Sequence, residues 1–338
     1  MGSKVVPVKE LSREPMKKEI VAVITGASSG IGRATALELA SKGGHVVLAA
    51  RFGAALNQVV EECEQQGGRA LAVPTDVGVE EEVNTLAARA IEAFGRIDVW
   101  VNNAAVSLFG HFEEIPTPDI RQLMDTNVFG YMYGARAAVR QFKAQGHGTL
   151  INVSSMAAVA GQPYSVPYSM SKFAVRGMSI SLAQELADQK DIHVCCVLPA
   201  VIDTPIFQHA ANYMGQRINA PRPVIAPEKV AQAIVKLVKR PQEEVTVGNM
   251  ARLMRAQRLL LPVSLFDKNL RKKIRKEHFK NEGSGPFQGN LYAPMTNWNS
   301  VNGGWRAEDS GKEAQKGKIA TLATLVLAGI ALLGWLKR

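Results

Sequence analysis

From Ile20 onward the chain repeats one alternation, a short apolar run followed by a longer amphipathic stretch. The runs are IVAVIT (20–25), HVVLAA (45–50), ALAVPT (70–75), IDVWVNN (97–103), GTLINVSS (148–155) and IHVCCVLP (192–199). Continuous apolar runs of this length, rich in Val and Ile, suit strands covered on both faces. The spacers, such as 34–42, 80–93 and 172–187, are long enough for crossover helices. Repeated βα units predict an α/β fold built on a doubly wound parallel sheet. The pattern alone does not exclude an α/β domain that binds no dinucleotide.

The rhythm breaks after Gly248. Residues 251–280 read as helical and basic, holding 10 of the 40 Lys and Arg residues and 2 of the 30 Asp and Glu residues, with the apolar run LLLPVSLF (259–266) inside. The net charge of +10 therefore belongs largely to one late segment, and a nucleic-acid-binding surface is not expected. Residues 281–311 are rich in Gly, Asn, Pro and Trp and read as an extended segment or linker. The predicted organisation is an N-terminal extension (1–19), a catalytic domain (20–250), a basic helical extension and linker (251–311) and an apolar tail (319–336).

That tail is 18 residues without a charge. As a helix it reaches about 27 Å, close to the thickness of a hydrocarbon core. Lys316 and Lys318 precede it, Lys337 and Arg338 follow it, and Trp335 stands where an interfacial aromatic would. The expectation is a single-pass C-terminal tail anchor in a membrane. The N-terminus lacks the apolar core of a secretory signal, which puts the catalytic domain in the cytosol. Three cysteines, Cys63, Cys195 and Cys196, show neither zinc-site spacing nor a disulfide framework.

Two constellations carry chemistry. The turn after the first run reads Thr25-Gly26-Ala27-Ser28-Ser29-Gly30-Ile31-Gly32, and a helix pattern begins at once. Glycines there let the backbone approach a pyrophosphate at the helix N-terminus, where unpaired N–H groups favour an anion. The second strand ends at Arg51 where an NAD-selective site would place a carboxylate. A guanidinium can pair instead with a ribose 2′-phosphate, so NADP(H) is preferred over NAD(H), with Arg33 as a possible helper. Farther on, Tyr168 and Lys172 stand four apart in a helical pattern and share one face. An adjacent ammonium would stabilise a phenolate and make Tyr168 usable as an acid/base near neutrality. Ser155 ends the fifth run, where its hydroxyl could hold a carbonyl oxygen. Taken alone, such a Tyr-Lys pair is more often an ordinary surface feature.

Together with Asp76, NNAA (102–105), Asn127 and PAVIDT (199–204), these motifs resemble the classical short-chain dehydrogenase/reductase family over roughly residues 20–248, in its order and approximate spacing. The resemblance implies a single Rossmann-like domain and a catalytic set of Asn127, Ser155, Tyr168 and Lys172. It implies a cofactor site of Gly26, Ser28, Ser29, Gly30, Ile31, Gly32, Arg51, Asp76, Val77, Asn102, Ala104, Tyr168, Lys172, Pro199, Ile202 and Thr204. Asn127 would hold a water linking Lys172 to solvent, and Asp76 with Val77 would frame the adenine. Two positions depart from the family pattern: Ala105 and Ala200 each stand where it has glycine. No metal is implied.

The family draws substrate contacts from loops near 107–113, 156–165 and 203–225, which here carry Phe109, Phe112, Met156, Val159, Ile206, Phe207 and Met214. An apolar set of this kind predicts a lipophilic carbonyl or alcohol as substrate. The family also commonly associates through segments corresponding to 116–144 and 165–189, which implies a homodimer or homotetramer. The alternative function is a non-catalytic, dinucleotide-binding membrane scaffold or sensor; the intact catalytic set argues against it.

Overall fold

The structure, a computed structural model, describes residues 19–248 and 262–306 together with Met254, Gln257 and Leu260. The expected N-terminal extension, apart from Glu19, and the apolar tail at 319–336 lie outside the described residues. No described helix is long and apolar enough to cross a membrane.

The six apolar runs form strands: β1 (Val21–Thr25), β2 (His45–Ala50), β3 (Ala70–Pro74), β4 (Val99–Asn102), β5 (Gly148–Val153) and β6 (Ile192–Pro199). A seventh, β7 (Glu244–Val247), completes one sheet in the order β7-β6-β5-β4-β1-β2-β3, with every pair parallel. The helices between them are α1 (Gly30–Ala40), α2 (Gly53–Gln65), α3 (Glu80–Phe94), α4 (Thr117–Met124), α5 (Gly130–Gln145), α6 (Val166–Glu185) and α7 (Pro227–Lys239).

Alternate strand residues point to opposite faces, and both faces are dry. Ala22, Ile24, Val46, Leu48 and Val101 pack with Ala36 and Leu39 of α1, Leu56 of α2 and Ile234 of α7. Val23, Val47, Trp100 and Leu150 pack with Leu86 of α3 and Ala138 and Phe142 of α5. Each fully buried Val, Leu or Ile contributes about 1.5–3 kcal/mol, which is why these runs contain no polar alternation. β7 was not expected, because Glu244 and Thr246 interrupt its apolar pattern at the sheet edge.

The chain winds outward from β1 to β3, then crosses back to lay β4 on the other side of β1. Such a reversal opens a crevice beyond the carboxyl ends of the two strands. The glycine-rich turn after β1 and the Asn102–Ala105 segment after β4 both lie there.

Beyond the sheet, α8 (Val263–His278) runs into β8 (Phe279–Gly283), which pairs antiparallel with Gln216–Ile218. The following segment is irregular, as its composition implies, but it does not act as a spacer. The described residues up to Gly303 form one compact unit with the sheet, held by many hydrogen bonds and by the burial of Leu291.

Candidate active site

The glycine-rich turn is shaped by close approach. A Cβ on Gly32 would overlap the Gly26 carbonyl, so only glycine lets α1 start this tightly against β1. Thr25 stitches the neighbouring loop to the turn: its hydroxyl accepts from the Asn103 and Ala104 amides at 2.9 and 3.1 Å, while Asn103 Nδ2 donates to the Thr25 carbonyl at 2.9 Å. The Ser29 hydroxyl makes no capping bond at the N-terminus of α1.

Gly26, Ser28, Ser29, Gly30 and Ile31 line a cleft of about 330 Å³ that continues past Arg51, Asp76, Val77 and Ala104 to Ser155, Tyr168, Lys172, Pro199, Ile202 and Thr204. Three residues expected at the site are not among its lining. Gly32 packs behind the turn. Asn102 faces the core, accepting from Trp100 Nε1 at 2.8 Å and donating to the Tyr131 carbonyl and Asn152 Oδ1, both at 3.0 Å; it pins the sheet. Asn127 is also fully buried, against α6.

Arg51 stands at the end of β2 beside Asp76. Burial lowers its pKa and the Asp76 carboxylate opposes that shift. Arg33 does not assist it. That guanidinium is buried in an ion pair with Glu62 at 2.5 Å and also donates to the Asn299 carbonyl.

At the other end of the cleft, Ser155 and Tyr168 are hydrogen-bonded and Lys172 lies one helical turn beyond. Lys172 is 2% exposed. Its Nζ donates to the Val153 carbonyl at 3.0 Å and to the Tyr131 hydroxyl at 3.3 Å, and sits 5.6 Å from the centre of the Tyr168 ring. Asn127 lies in a π-helical turn, Asp125–Phe129, between α4 and α5, the kind of irregularity often found at functional sites. Its side chain clamps both polar groups of the Val106 backbone and donates to Ser171 Oγ at 3.1 Å, which in turn donates to the Tyr168 carbonyl. Asn127 thus holds the start of α6 in place.

The expected lowering of the tyrosine pKa is not a property of the polypeptide by itself. Burial pushes Tyr168 up to about 12, with the Ser155 hydrogen bond pulling the other way. Burial likewise pushes Lys172 down to about 7. In a site this dry the cost of separating charge from water exceeds the help each group gives the other.

Of the apolar residues expected around a substrate, Phe109, Met156, Ile206 and Phe207 line the cleft. Phe112 is exposed, Val159 packs with Met156 and Leu198, and Met214 packs with Phe109 and Phe207. Sequence reasoning missed several lining residues: Gln162, His278, Asn290 and Asn299. His278, at the end of α8, is buried against Phe109 and Phe207, and burial takes its pKa down to about 4. Tyr131 was also missed; its hydroxyl donates to the Val153 carbonyl at 2.9 Å beside Lys172. No motif marks these positions, since chain segments far apart in sequence bring them to the cleft.

Comparison with known proteins agrees with this geometry. Residues 20–214 match the family described as short chain dehydrogenase. An uncharacterized oxidoreductase, YxnA of Bacillus subtilis, is 42% identical over 72% of this chain and 70% of its own length. An alcohol dehydrogenase from the archaeon Thermococcus sibiricus, complexed with 5-hydroxy-NADP, superposes with a TM-score of 0.60 at 27% identity, covering 68% of this chain and 96% of that one. A 3-ketoacyl-(acyl-carrier-protein) reductase from Brucella melitensis, complexed with NADH, gives a TM-score of 0.60 at 26% identity over 68% of this chain and 95% of its own.

Proposed function

This chain belongs to the short-chain dehydrogenase/reductase family and is an NAD(P)-dependent oxidoreductase, and on that premise we propose that it uses NADPH to interconvert a carbonyl and an alcohol on a lipophilic substrate, with Tyr168 as general acid/base. The observation that carries this reading is the meeting of Ser155, Tyr168 and Lys172 at one end of the cleft whose other end is the glycine-rich turn. The cleft fits a dinucleotide, because the Gly26–Gly32 turn leaves no room for a side chain where α1 begins and a buried acceptor, Asn290 Oδ1, lies unpartnered along its wall.

When bound, the nicotinamide supplies the hydride, and its oxidised form supplies a positive charge. Ser155 holds the substrate oxygen by a hydrogen bond, and Tyr168 delivers a proton to it in the reductive direction. Lys172 holds the nicotinamide ribose, and in the same dry surroundings its charge is felt strongly by the Tyr168 oxygen. Asn127 keeps α6 in register through Val106 and Ser171.

The preference for NADP(H) is supported by Arg51, a guanidinium in the cleft lining just past the end of β2. A lipophilic substrate is supported by Phe109, Met156, Ile206 and Phe207. The test follows reduced-cofactor absorbance against a panel of lipophilic ketones and alcohols with both cofactors. Turnover that is faster with NADPH bears the reading out; dinucleotide binding without turnover on any of them leaves the scaffold or sensor alternative.

Assembly as a homodimer or homotetramer is supported by one stripe on α6. Val166, Met170, Phe173 and Ile180 recur at helical spacing and are 36–48% exposed, with Phe129 exposed at 44%. Apolar residues aligned in this way on a helix face suit burial against a second copy. Membrane attachment through 319–336, with the catalytic domain in the cytosol, rests on the uncharged stretch and its flanking cations. The exposed Leu260, Val263 and Leu265 beside the basic α8 suit a position near anionic headgroups.

A further inference from the structure

The family match ends at residue 214, yet residues 287–303 return to the cofactor side of the sheet and are fastened there almost wholly through main-chain carbonyls. Arg51 Nη2 donates to the Asn290 carbonyl at 2.5 Å and its Nη1 to that of Leu291 at 3.1 Å. Arg33 donates to the Asn299 carbonyl, and the Gly30 amide, first of α1, donates to Ser300 at 3.0 Å. The His209 ring meets the Asn297 carbonyl at 3.2 Å, while the Asn290 amide donates to the His209 carbonyl at 2.9 Å.

Two side-chain features set the register of this strap. Leu291 is fully buried with Leu108, Ile115, Leu123 and Ala211. Gly289 has φ +57, and a Cβ there would overlap the His209 carbonyl oxygen, so no other residue fits without lifting the chain. The strap therefore spans from the guanidinium at the end of β2 to the first turn of α1, across the part of the cleft suited to an adenosine and a pyrophosphate. Asn290, Met295 and Asn299 form its wall on that side. Asn290 Oδ1 is buried there without a hydrogen-bond partner, an acceptor that costs stability until a donor meets it.

We propose that residues 287–303 are a clasp on the cofactor, in which Asn290 accepts a hydrogen bond from a hydroxyl of the adenosine ribose beside Arg51, and the dinucleotide leaves only when the strap lifts. The proposal rests on the oxidoreductase reading above. Arg51 has donors enough for both tasks, because a guanidinium carries five N–H groups and the strap engages two nitrogens. An unsubstituted ribose hydroxyl is common to NADP and NAD, so Asn290 sets affinity and residence time where Arg51 sets choice.

The experiment is stopped-flow release of NADPH from the full chain in mild detergent, read by loss of reduced-nicotinamide fluorescence on mixing with excess NADP. Leu291→Ala and Gly289→Val are expected to speed release about tenfold or more, and Asn290→Ala to weaken NADPH and NADH alike by about tenfold, the scale of one lost buried hydrogen bond. Hydrogen exchange of the 287–303 amides in the wild type, which should slow on adding NADPH, gives a reading that needs no variant to fold. Release rates within about twofold of wild type in folded variants, with exchange unchanged by NADPH, overturn the clasp while leaving the oxidoreductase reading intact. A wild type that binds neither dinucleotide overturns both.

Discussion

The Lys172 ammonium nitrogen lies 4.9 Å from the centre of the Tyr131 ring and 3.3 Å from its hydroxyl. Tyr131 comes from α5 and Lys172 from α6, so the contact joins the two helices directly behind Tyr168. A buried cation held by a ring face, a hydroxyl and one carbonyl is poorly compensated for its lost hydration. Lys172 is held there at a cost to stability.

That cost is measurable. Burial lowers the Lys172 pKa from 10.5 to about 7, so between those values the unfolded chain binds more protons than the folded one. Its contribution to stability accordingly rises with pH through that window, and the penalty is full below about pH 7. Lys172→Met should stabilise the cofactor-free protein at neutral pH by about 1–3 kcal/mol, flatten the rise in Tm between neutral and alkaline pH, and abolish turnover. A lower Tm than wild type across that range would refute the assignment of strain to this residue.

Tyr168→Phe should reduce turnover by about a thousandfold while NADPH binding changes little, since the proton donor goes and the cofactor contacts stay. Because the phenol stands at about 12 in the polypeptide alone, reduction should hold nearly constant across neutral pH. Oxidation of the alcohol, which needs the phenolate, should rise with pH. Parallel profiles in the two directions, or near wild-type rates in the phenylalanine variant, would remove Tyr168 from the mechanism.

Replacing Arg51 with Asp should shift the ratio of kcat/KM values from NADPH toward NADH by about 10–100-fold, the scale of a lost charge-assisted hydrogen bond plus a gained ribose acceptor. The same change removes two donors to the strap, so both cofactors should also be released faster. An unaltered cofactor ratio would mean that the 2′-phosphate is recognised elsewhere.

On α6, Met170→Lys combined with Phe173→Asp places charges in the exposed apolar stripe. Light scattering in mild detergent should show wild-type protein as a dimer or tetramer and the double variant as a monomer with unchanged fold. A monomeric wild type would end the proposal.

For the tail, full-length protein should resist carbonate extraction from membranes. A chain ending near Gly311 should lose that resistance and keep activity on a soluble ketone, because the strap ends before the cut. Recovery of the full-length chain in the soluble fraction without detergent would contradict an anchor at 319–336.

Where the chain builds its sheet was legible in the order of residues, because five of its seven described strands are buried on both faces and must be apolar throughout, and the edge strand β3 keeps the same apolar run. The glycine-rich turn, Arg51, Ser155, Tyr168 and Lys172 were legible as well. Each answers to a local demand, whether a helix start without a Cβ, a strand end, or two side chains one helical turn apart. What became of those groups once packed was not legible. Arg33 is spent on Glu62, Asn102 on the sheet and Asn127 on the Val106 backbone, and burial raises Tyr168 and lowers Lys172, because pKa values and hydrogen bonds depend on neighbours from distant elements. The stretch 287–303 shows the same limit from the other side. Its composition reads as a linker, since carbonyl oxygens carry most of its attachment and every residue has one; only the tertiary structure decides which arginines and amides they meet.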